Sequence, residues 1–320
     1  MSLQPSAALG QARPDLADGL EEFDLEANRA GYVGMEICPV IEVPHQNGVF
    51  PKRTLAQILK SSEDTRRASG SAYRRGGGEF TKDNWNTEER GFEEPVDARE
   101  NAINRDWFDA ELIAADECRQ QVLEDIEEQV IALVNAVSNT TGAGTAWSTH
   151  ATADPTANVL AGKVAMRNRC GIVPNAMCVE WSAFQDLLEC DAILDRIKHW
   201  GGDDPKKAAM NNLSLMAAVF DVERFVVAGA IKNTANEMAA ASISTVFPED
   251  KVLLYRHSDN RNMKRPRWAN TLHWGEDGSR IGCALETYDD PAVRSEIVRA
   301  RSEIQIKEIY ADCAQVITGV

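Results

Sequence analysis

The sequence is poor in the residues that carry chemistry. Its seven cysteines are odd in number and never fall as Cys-x-x-Cys, which disfavours both a zinc site and a disulfide framework. The five histidines, His45, His150, His199, His257 and His273, form no His-x-x-x-His pair and have no cysteine or acid at ligand spacing. There is no Gly-x-Ser-x-Gly elbow, and no cysteine sits in a nucleophile context. Gly76-Gly77-Gly78 is followed by Glu79 and Phe80 rather than by the Lys-Ser/Thr of a phosphate loop, and reads as a flexible loop. No run approaches the roughly 18 to 20 apolar residues of a membrane span, and Met1 to Ala8 lacks the basic-then-apolar order of a signal peptide. A cytoplasmic product is expected, with no catalytic, cofactor-binding or metal-binding residue.

Positive charge is also scarce. Lysine and arginine number 34 against 50 acidic residues, a net charge of -16. That balance argues against a protein that grips the outside of DNA, because such proteins concentrate basic residues on one face. Arg256, Arg261, Lys264, Arg265 and Arg267, with Trp268 and Trp274 nearby, suggest a single-strand patch with stacking platforms. The acidity of the whole chain favours an exposed loop at a subunit contact instead.

What is present is an ordinary globular composition: 320 residues, 43% hydrophobic and 26% charged, enough for one large domain or two. The first thirty residues carry Asp15, Asp18, Glu21, Glu22, Asp24 and Glu26 between Pro5 and Pro14 and read as an arm. From Gly31 to Val49 short apolar stretches are broken by Pro39 and Pro44, and Asn47-Gly48 signals a tight turn, so a strand entering a hairpin is expected. Ser61 to Asn104 is polar, with Arg66-Arg67 and Arg74-Arg75 and few aliphatic residues. Loops beyond about 15 residues are uncommon in compact domains, so something outside this subunit is expected to order it.

The clearest helix follows. Phe108, Leu112, Ala115, Cys118, Val122, Ile126, Val130, Leu133 and Val137 recur at three- and four-residue steps. Asp106 is placed to cap it, Asp109 adds charge in the first turn, and about thirty residues at about 1.5 Å each give a rod on the order of 45 Å. Its other face, Glu111, Asp116, Glu117, Glu124, Asp125, Glu127 and Glu128, reads as solvated, since a di-metal bundle needs Glu-x-x-His.

Asp154-Pro155 opens the next helix, with Ala157, Leu160, Ala161, Val164 and Ala165 as its apolar face and Gly171 as its stop. A strand at Met177 to Glu180 precedes a helix capped by Ser182, with Phe184, Leu187 and Leu188 inward, running on through Ile193, Leu194 and Ile197. A helix near Leu213 to Val219, strands near Arg224 to Val227 and Val252 to Tyr255, and the alternating Ile304 and Ile306 complete an α+β pattern without internal repeats.

The order of acidic arm, long extended loop, long helix and alternating domain resembles the major capsid proteins of tailed bacteriophages with the Hong Kong 97-type fold. The resemblance is carried by Asp64-Thr65-Arg66-Arg67-Ala68 in the loop and by Glu93-Glu94-Pro95-Val96-Asp97-Ala98-Arg99, similar to the return strand into the spine helix. Gly171-Ile172-Val173-Pro174-Asn175 and Val226-Val227-Ala228-Gly229-Ala230-Ile231-Lys232-Asn233-Thr234-Ala235, similar to a stretch of the axial domain, extend it over most of the chain.

The resemblance implies an arm at 1–30, and a first part of a peripheral domain at 31–152 with an extended loop near 45–100 and a spine helix near 106–137. An axial domain at 153–282 and returning peripheral strands at 283–320 complete it. It implies hexamers and pentamers in an icosahedral shell around double-stranded DNA held without sequence-specific contacts, in a virion assembled in the host cytoplasm. Some relatives carry an N-terminal scaffolding segment that this sequence lacks, so a separate scaffolding protein is implied, with a portal and a decoration protein as further partners and no membrane.

Asp64, Arg66, Arg67, Arg74, Arg75, Lys82, Trp85 and Arg99 are the expected inter-subunit contacts. Lys82 lies where some relatives carry a lysine that bonds covalently to an asparagine of another subunit; a cross-link is not the expectation, since it needs a specific nearby acid that sequence alone does not locate. An encapsulin-type compartment shell holding cargo proteins, and an α+β enzyme using the Arg256 to Trp274 region, are the competing readings.

Overall fold

The computed structural model describes residues 11–12, 31–54, 65–67, 69–73, 80–104, 109–198, 213–235, 240, 242–259, 266–275 and 284–320. In chain order these form β1 (Gln11–Ala12), α1 (Gly34–Ile37), β2 (Val40–Glu42), β3 (Asn47–Lys52), β4 (Thr81–Asn86), β5 (Glu88–Asp97), α2 (Ala98–Asn104), α3 (Ala110–Asn135) and β6 (Thr140–Gly142). Then follow α4 (Pro155–Cys170), β7 (Ala176–Glu180), α5 (Trp181–Glu189), α6 (Asp191–Lys198), α7 (Leu213–Val219), β8 (Arg224–Ala228), β9 (Ile231–Asn233) and β10 (Ile243–Thr245). β11 (Lys251–Tyr255), β12 (Ala269–His273), β13 (Ala284–Asp290), β14 (Ser295–Glu308) and β15 (Ala314–Thr318) close the chain.

Two sheets organise these elements. A six-stranded sheet runs β1-β13-β14-β12-β2, with β5 also pairing β14; a five-stranded sheet runs β6-β15-β11-β7-β8. β12 lies in the six-stranded sheet and β6 in the five-stranded one, so the chain passes between the sheets ahead of each of these strands. The long β14 is the hub of the first sheet, pairing with β13, with β12 and, from Ser295 to Ile304, with all ten residues of β5.

α3 supplies the long helix the periodicity predicts. It spans 26 residues, about 39 Å at 1.5 Å per residue. Asp109 caps it, accepting from the Glu111 amide at 3.1 Å; Asp106, the expected cap, lies outside the described residues. Ala114, Ala115, Cys118, Val122 and Ile126 pack against Val96, Leu285, Val298, Ala300 and Ile304 of the six-stranded sheet. Val130, Ile131 and Val134 belong to a second cluster with Ile37, Met166, Cys178, Leu253 and Trp268. One helix thereby ties both sheets together.

A third cluster lies under the helices of the five-stranded sheet, where Trp147, Val159, Phe184, Leu187, Leu188, Ile193 and Met216 cover Met177, Val179, Val252 and Ile317.

Four local expectations are corrected. Asn47-Gly48 is not a turn but the start of β3, with Gly48 opposite Trp85 of β4. α5 is capped by Glu180, which accepts from the Ser182 amide at 2.5 Å, so Ser182 is the residue being capped. The helix does not run on to Ile197: Cys190 leaves the helical conformation, and α6 restarts at Asp191.

The fourth concerns α4, capped as expected by Asp154 and ended by Gly171 at φ 72°, a left-handed position that suits glycine. Its buried face is Val159, Gly162, Lys163, Met166 and Cys170. Leu160 and Val164, expected inside, are 61% and 46% exposed. Gly162 sets this orientation, because a Cβ there would lie 2.8 Å from Leu254 Cδ1, so the helix approaches β11 on its glycine side. The Lys163 stem is buried and its ammonium donates to the Asp221 carbonyl at 2.5 Å, a basic residue serving as core packing.

Candidate subunit-contact surface

The expected contact residues cluster around one hairpin. β3 and β4 pair from Asn47 with Asn86 to Lys52 with Thr81, so side chains alternate between two faces. Gly48, Phe50, Lys52, Asp83 and Trp85 share the inner face. Phe50 is buried, Trp85 lies 6.0 Å from it by ring centroid, and the indole N–H donates to the His45 carbonyl at 3.0 Å. Asp83 accepts from Lys307 of β14 at 3.0 Å and lies 3.8 Å from Lys52. Burial would raise its carboxyl, but the Lys307 hydrogen bond and the two ammonium charges outweigh that and hold it below the usual range.

The outer face is different. Val49 is 62% exposed, and Lys82 and Asn84 are exposed beside it. Beyond the hairpin, Arg66, Arg67, Tyr73 and Phe80 are all exposed. The Arg67 guanidinium lies 4.6 Å from the Tyr73 ring centroid and donates to the Ser71 carbonyl at 2.6 Å, so this tip is held by its own residues. Arg99 is exposed at the start of α2. Asp64, Arg74 and Arg75 lie outside the described residues.

One expectation is corrected here. The span from 61 to 104 is not without a home on its own protomer: all ten residues of β5 pair with β14, and Val96 is buried under α3. Arg90 reaches Asp125 of α3 at 3.1 Å. The reason is main-chain pairing, which polar residues achieve as readily as apolar ones; composition alone does not reveal it. Trp85 likewise packs on its own subunit, leaving Arg66, Arg67, Lys82 and Arg99 as the outward residues of the expected set.

The sheet face away from α3 carries a charge ladder the sequence reading did not single out. Glu286, Arg299 and Glu93 lie in one cross-strand row. Arg299 donates to Glu286 at 2.5 Å and to Glu93 at 3.3 Å, and Arg301 reaches Glu286 at 2.8 Å. Burial would raise the Glu286 carboxyl, yet hydrogen bonds from Arg299 and Arg301 hold it low. The recoverable signal was alternation: Arg299 and Arg301 are two apart on one strand face, with Glu286 on β13 and Glu93 and Glu89, four apart, on β5 as their acids.

The basic cluster near 256–274 is a correction too. Trp268 and Arg267 are fully buried, and the Trp268 indole donates to Glu308 at 2.9 Å, so this part is core and not a stacking platform. Arg261, Lys264 and Arg265 lie outside the described residues.

The acidic face of α3 is not uniformly solvated either. Asp125 and Glu128 are paired to Arg90 and Lys232, and Glu127 is buried, accepting from the amides of Val33 at 3.1 Å and Gly34 at 2.5 Å.

No known protein-family profile matches the chain. Its fold, two sheets bridged by one long helix with a hairpin projecting before it, is the Hong Kong 97-type fold of phage capsid proteins. A phage-related protein of Bordetella bronchiseptica RB50 superposes with a TM-score of 0.65 at 16% identity, covering 97% of this chain and 98% of that one. A protein of Microbacterium phage Oxtober96 gives 0.57 at 14%, covering 90% and 91%. A virus-like particle from Pyrococcus furiosus gives 0.53 at 12%, covering 95% and 96%. In sequence, the chain is 23% identical over 303 residues to the major capsid protein of Burkholderia phage BcepMu, a match spanning 91% of this chain and 92% of that protein.

Proposed function

We propose that the chain is the major capsid protein of a tailed bacteriophage, a structural rather than catalytic component that assembles into a closed shell around double-stranded DNA. The observation that carries this reading is the full-length likeness to a phage major capsid protein, at 23% identity over 303 residues, joined to a shell-protein fold. The six-stranded sheet with α3 forms the peripheral domain, and the five-stranded sheet with α4 to α7 the axial domain.

Copies join as hexamers and pentamers. The hairpin's outer face and the tip carrying Arg66 and Arg67 lie over a neighbouring copy, where arginine meets acidic surface, and Arg99 and Lys82 extend that contact. Asp64, Arg74 and Arg75 complete it. Such a contact is heterologous, so it repeats into rings. Each exposed ion pair contributes about 0 to 1 kcal/mol, but a shell engages many at once. The net charge of -16 keeps the wall from binding duplex tightly, as packaging requires. Scaffolding, portal and decoration proteins are the further partners, and the host cytoplasm is the site of assembly.

The test is negative-stain microscopy of the purified chain, alone and with a scaffold. Capsomers or shells are expected, and deletion of Ser69 to Gly78 or the pair Arg66→Glu and Arg67→Glu reduces assembly while the subunit stays folded. A chain that remains monomeric under all these conditions overturns the reading. The likeness to a virus-like particle keeps an encapsulin-type compartment as the second reading; packaged duplex rather than protein cargo in native shells decides between them.

A further inference from the structure

After β1 the described chain resumes at residue 31, at a narrow place. There Gly31 lies against Gly229, whose amide donates to the Gly31 carbonyl at 3.2 Å, and a Cβ on Gly31 would lie 2.8 Å from the Gly229 backbone. Three residues on, Glu127 Oε2 accepts both the Val33 and the Gly34 amides, and a Cβ on Gly34 would lie 2.6 Å from that oxygen. Glu127 is 2% exposed, and its second oxygen, Oε1, is buried without a hydrogen-bond partner.

We propose that the Glu127 carboxyl is a proton-dependent latch for the entering chain: neutral, it holds Val33 and Gly34 on α3; ionised, it lets that segment open.

The argument is electrostatic. A buried carboxylate is stabilised by a cation or by full hydrogen bonding, and this one makes no ion pair among the described residues. Among the described residues the titratable groups that feel its charge are neutral, Tyr32 and Cys38 on the entering segment and Cys178 on β7, with acidic Glu124 beside Tyr32 and Glu36 beside Cys178. Glu308 faces Cys38 from β14. The neutral form fits better, since Oε2 still accepts both amides while the proton resides on Oε1. Burial accordingly raises the carboxyl to about 7 from an ordinary value near 4.5, against the lowering effect of the two amide hydrogen bonds.

Opening returns the carboxyl to water and to its ordinary acidity. Opening therefore grows about tenfold per pH unit between the two values and levels off above about pH 7.

Hydrogen–deuterium exchange of the intact chain from about pH 5 to about pH 9, corrected for intrinsic rates, reads this directly. Peptides covering 31–38 are expected to open on the order of a hundredfold more at the alkaline end, with β11 as the unchanged reference. Glu127→Gln keeps the acceptor without the charge, so the segment stays protected and the pH step disappears. Gly34→Ala, which drives a methyl into Oε2, exchanges fast at every pH. A wild-type segment without a pH step, or an undiminished step in Glu127→Gln, overturns the latch. Should that variant not fold, a step retained in Gly34→Ala overturns it equally.

Discussion

Gly48 lies beneath the indole of Trp85: a Cβ built on Gly48 would be 2.2 Å from Cζ2 of that ring. Only a residue without a side chain lets the ring close the base of the hairpin, where it meets Phe50 and donates to the His45 carbonyl. Gly48→Val should cost roughly 1–3 kcal/mol by overpacking, read as a lower urea midpoint. Because the clash is with one ring, Gly48→Val combined with Trp85→Ala should cost less than the sum of the two single changes. Strict additivity would show that the two residues do not share this contact.

The Glu286 ladder sets part of the acid limit. Its carboxyl is depressed on folding, burial being outweighed by Arg299 and Arg301, so its contribution is present above the unfolded carboxylate range and lost as pH falls through the lower folded value. Arg299→Ala should cost about 1–2 kcal/mol at neutral pH, allowing for partial exposure. The loss should shrink toward zero in acid. Denaturant titrations at several pH values check this; a penalty that stays constant into acid would assign the effect to packing.

Much of the fold was legible because its signals were periodic. The α3 stripe, the Asp154-Pro155 start and Gly171 stop of α4, and the alternation of β14 each state their partner in the spacing alone. The failures have physical causes. α4 offers apolar residues on both faces, and the choice between them was made by Gly162 against Leu254, a contact from the far end of the chain. By composition β5 reads as polar loop, because main-chain pairing with β14 leaves no compositional trace; only the resemblance marked 93–99 as a strand. Glu127 is indistinguishable in sequence from its partly exposed neighbour Glu128, which pairs with Lys232; the arrival of Val33 and Gly34 buries one and not the other. Of the residues expected at subunit contacts, Arg66, Arg67 and Arg99 are exposed on this subunit, whereas Trp85 is half-buried on it.

The orientation of α4 is open to a direct comparison. Leu160 and Val164 are exposed whereas Met166 is fully buried. In the dissociated subunit Leu160→Ser and Val164→Ser should each change stability by less than about 0.5 kcal/mol, while Met166→Ala costs about 2–5 kcal/mol. The reverse ranking would mean that the helix packs through the face its alanine and leucine spacing first suggests.

Trp268 distinguishes a core from a nucleic-acid platform. Its ring is fully buried, packed at 6.0 Å from the Tyr255 ring, and its indole N–H satisfies Glu308 at 2.9 Å. Trp268→Phe removes volume from a site that cannot collapse freely and takes the donor from a carboxylate. Roughly 2–4 kcal/mol should be lost. Trp274, only partly buried beside Ile41 and Val43, should tolerate the same change at less than about 1 kcal/mol. A stacking platform would behave in the opposite way, because phenylalanine still presents a ring to a base: stability would hold and affinity for a labelled single strand would be the quantity that moved. Urea unfolding and fluorescence anisotropy on the same two variants decide between these outcomes, and the burial of Trp268 requires that unfolding respond while binding does not.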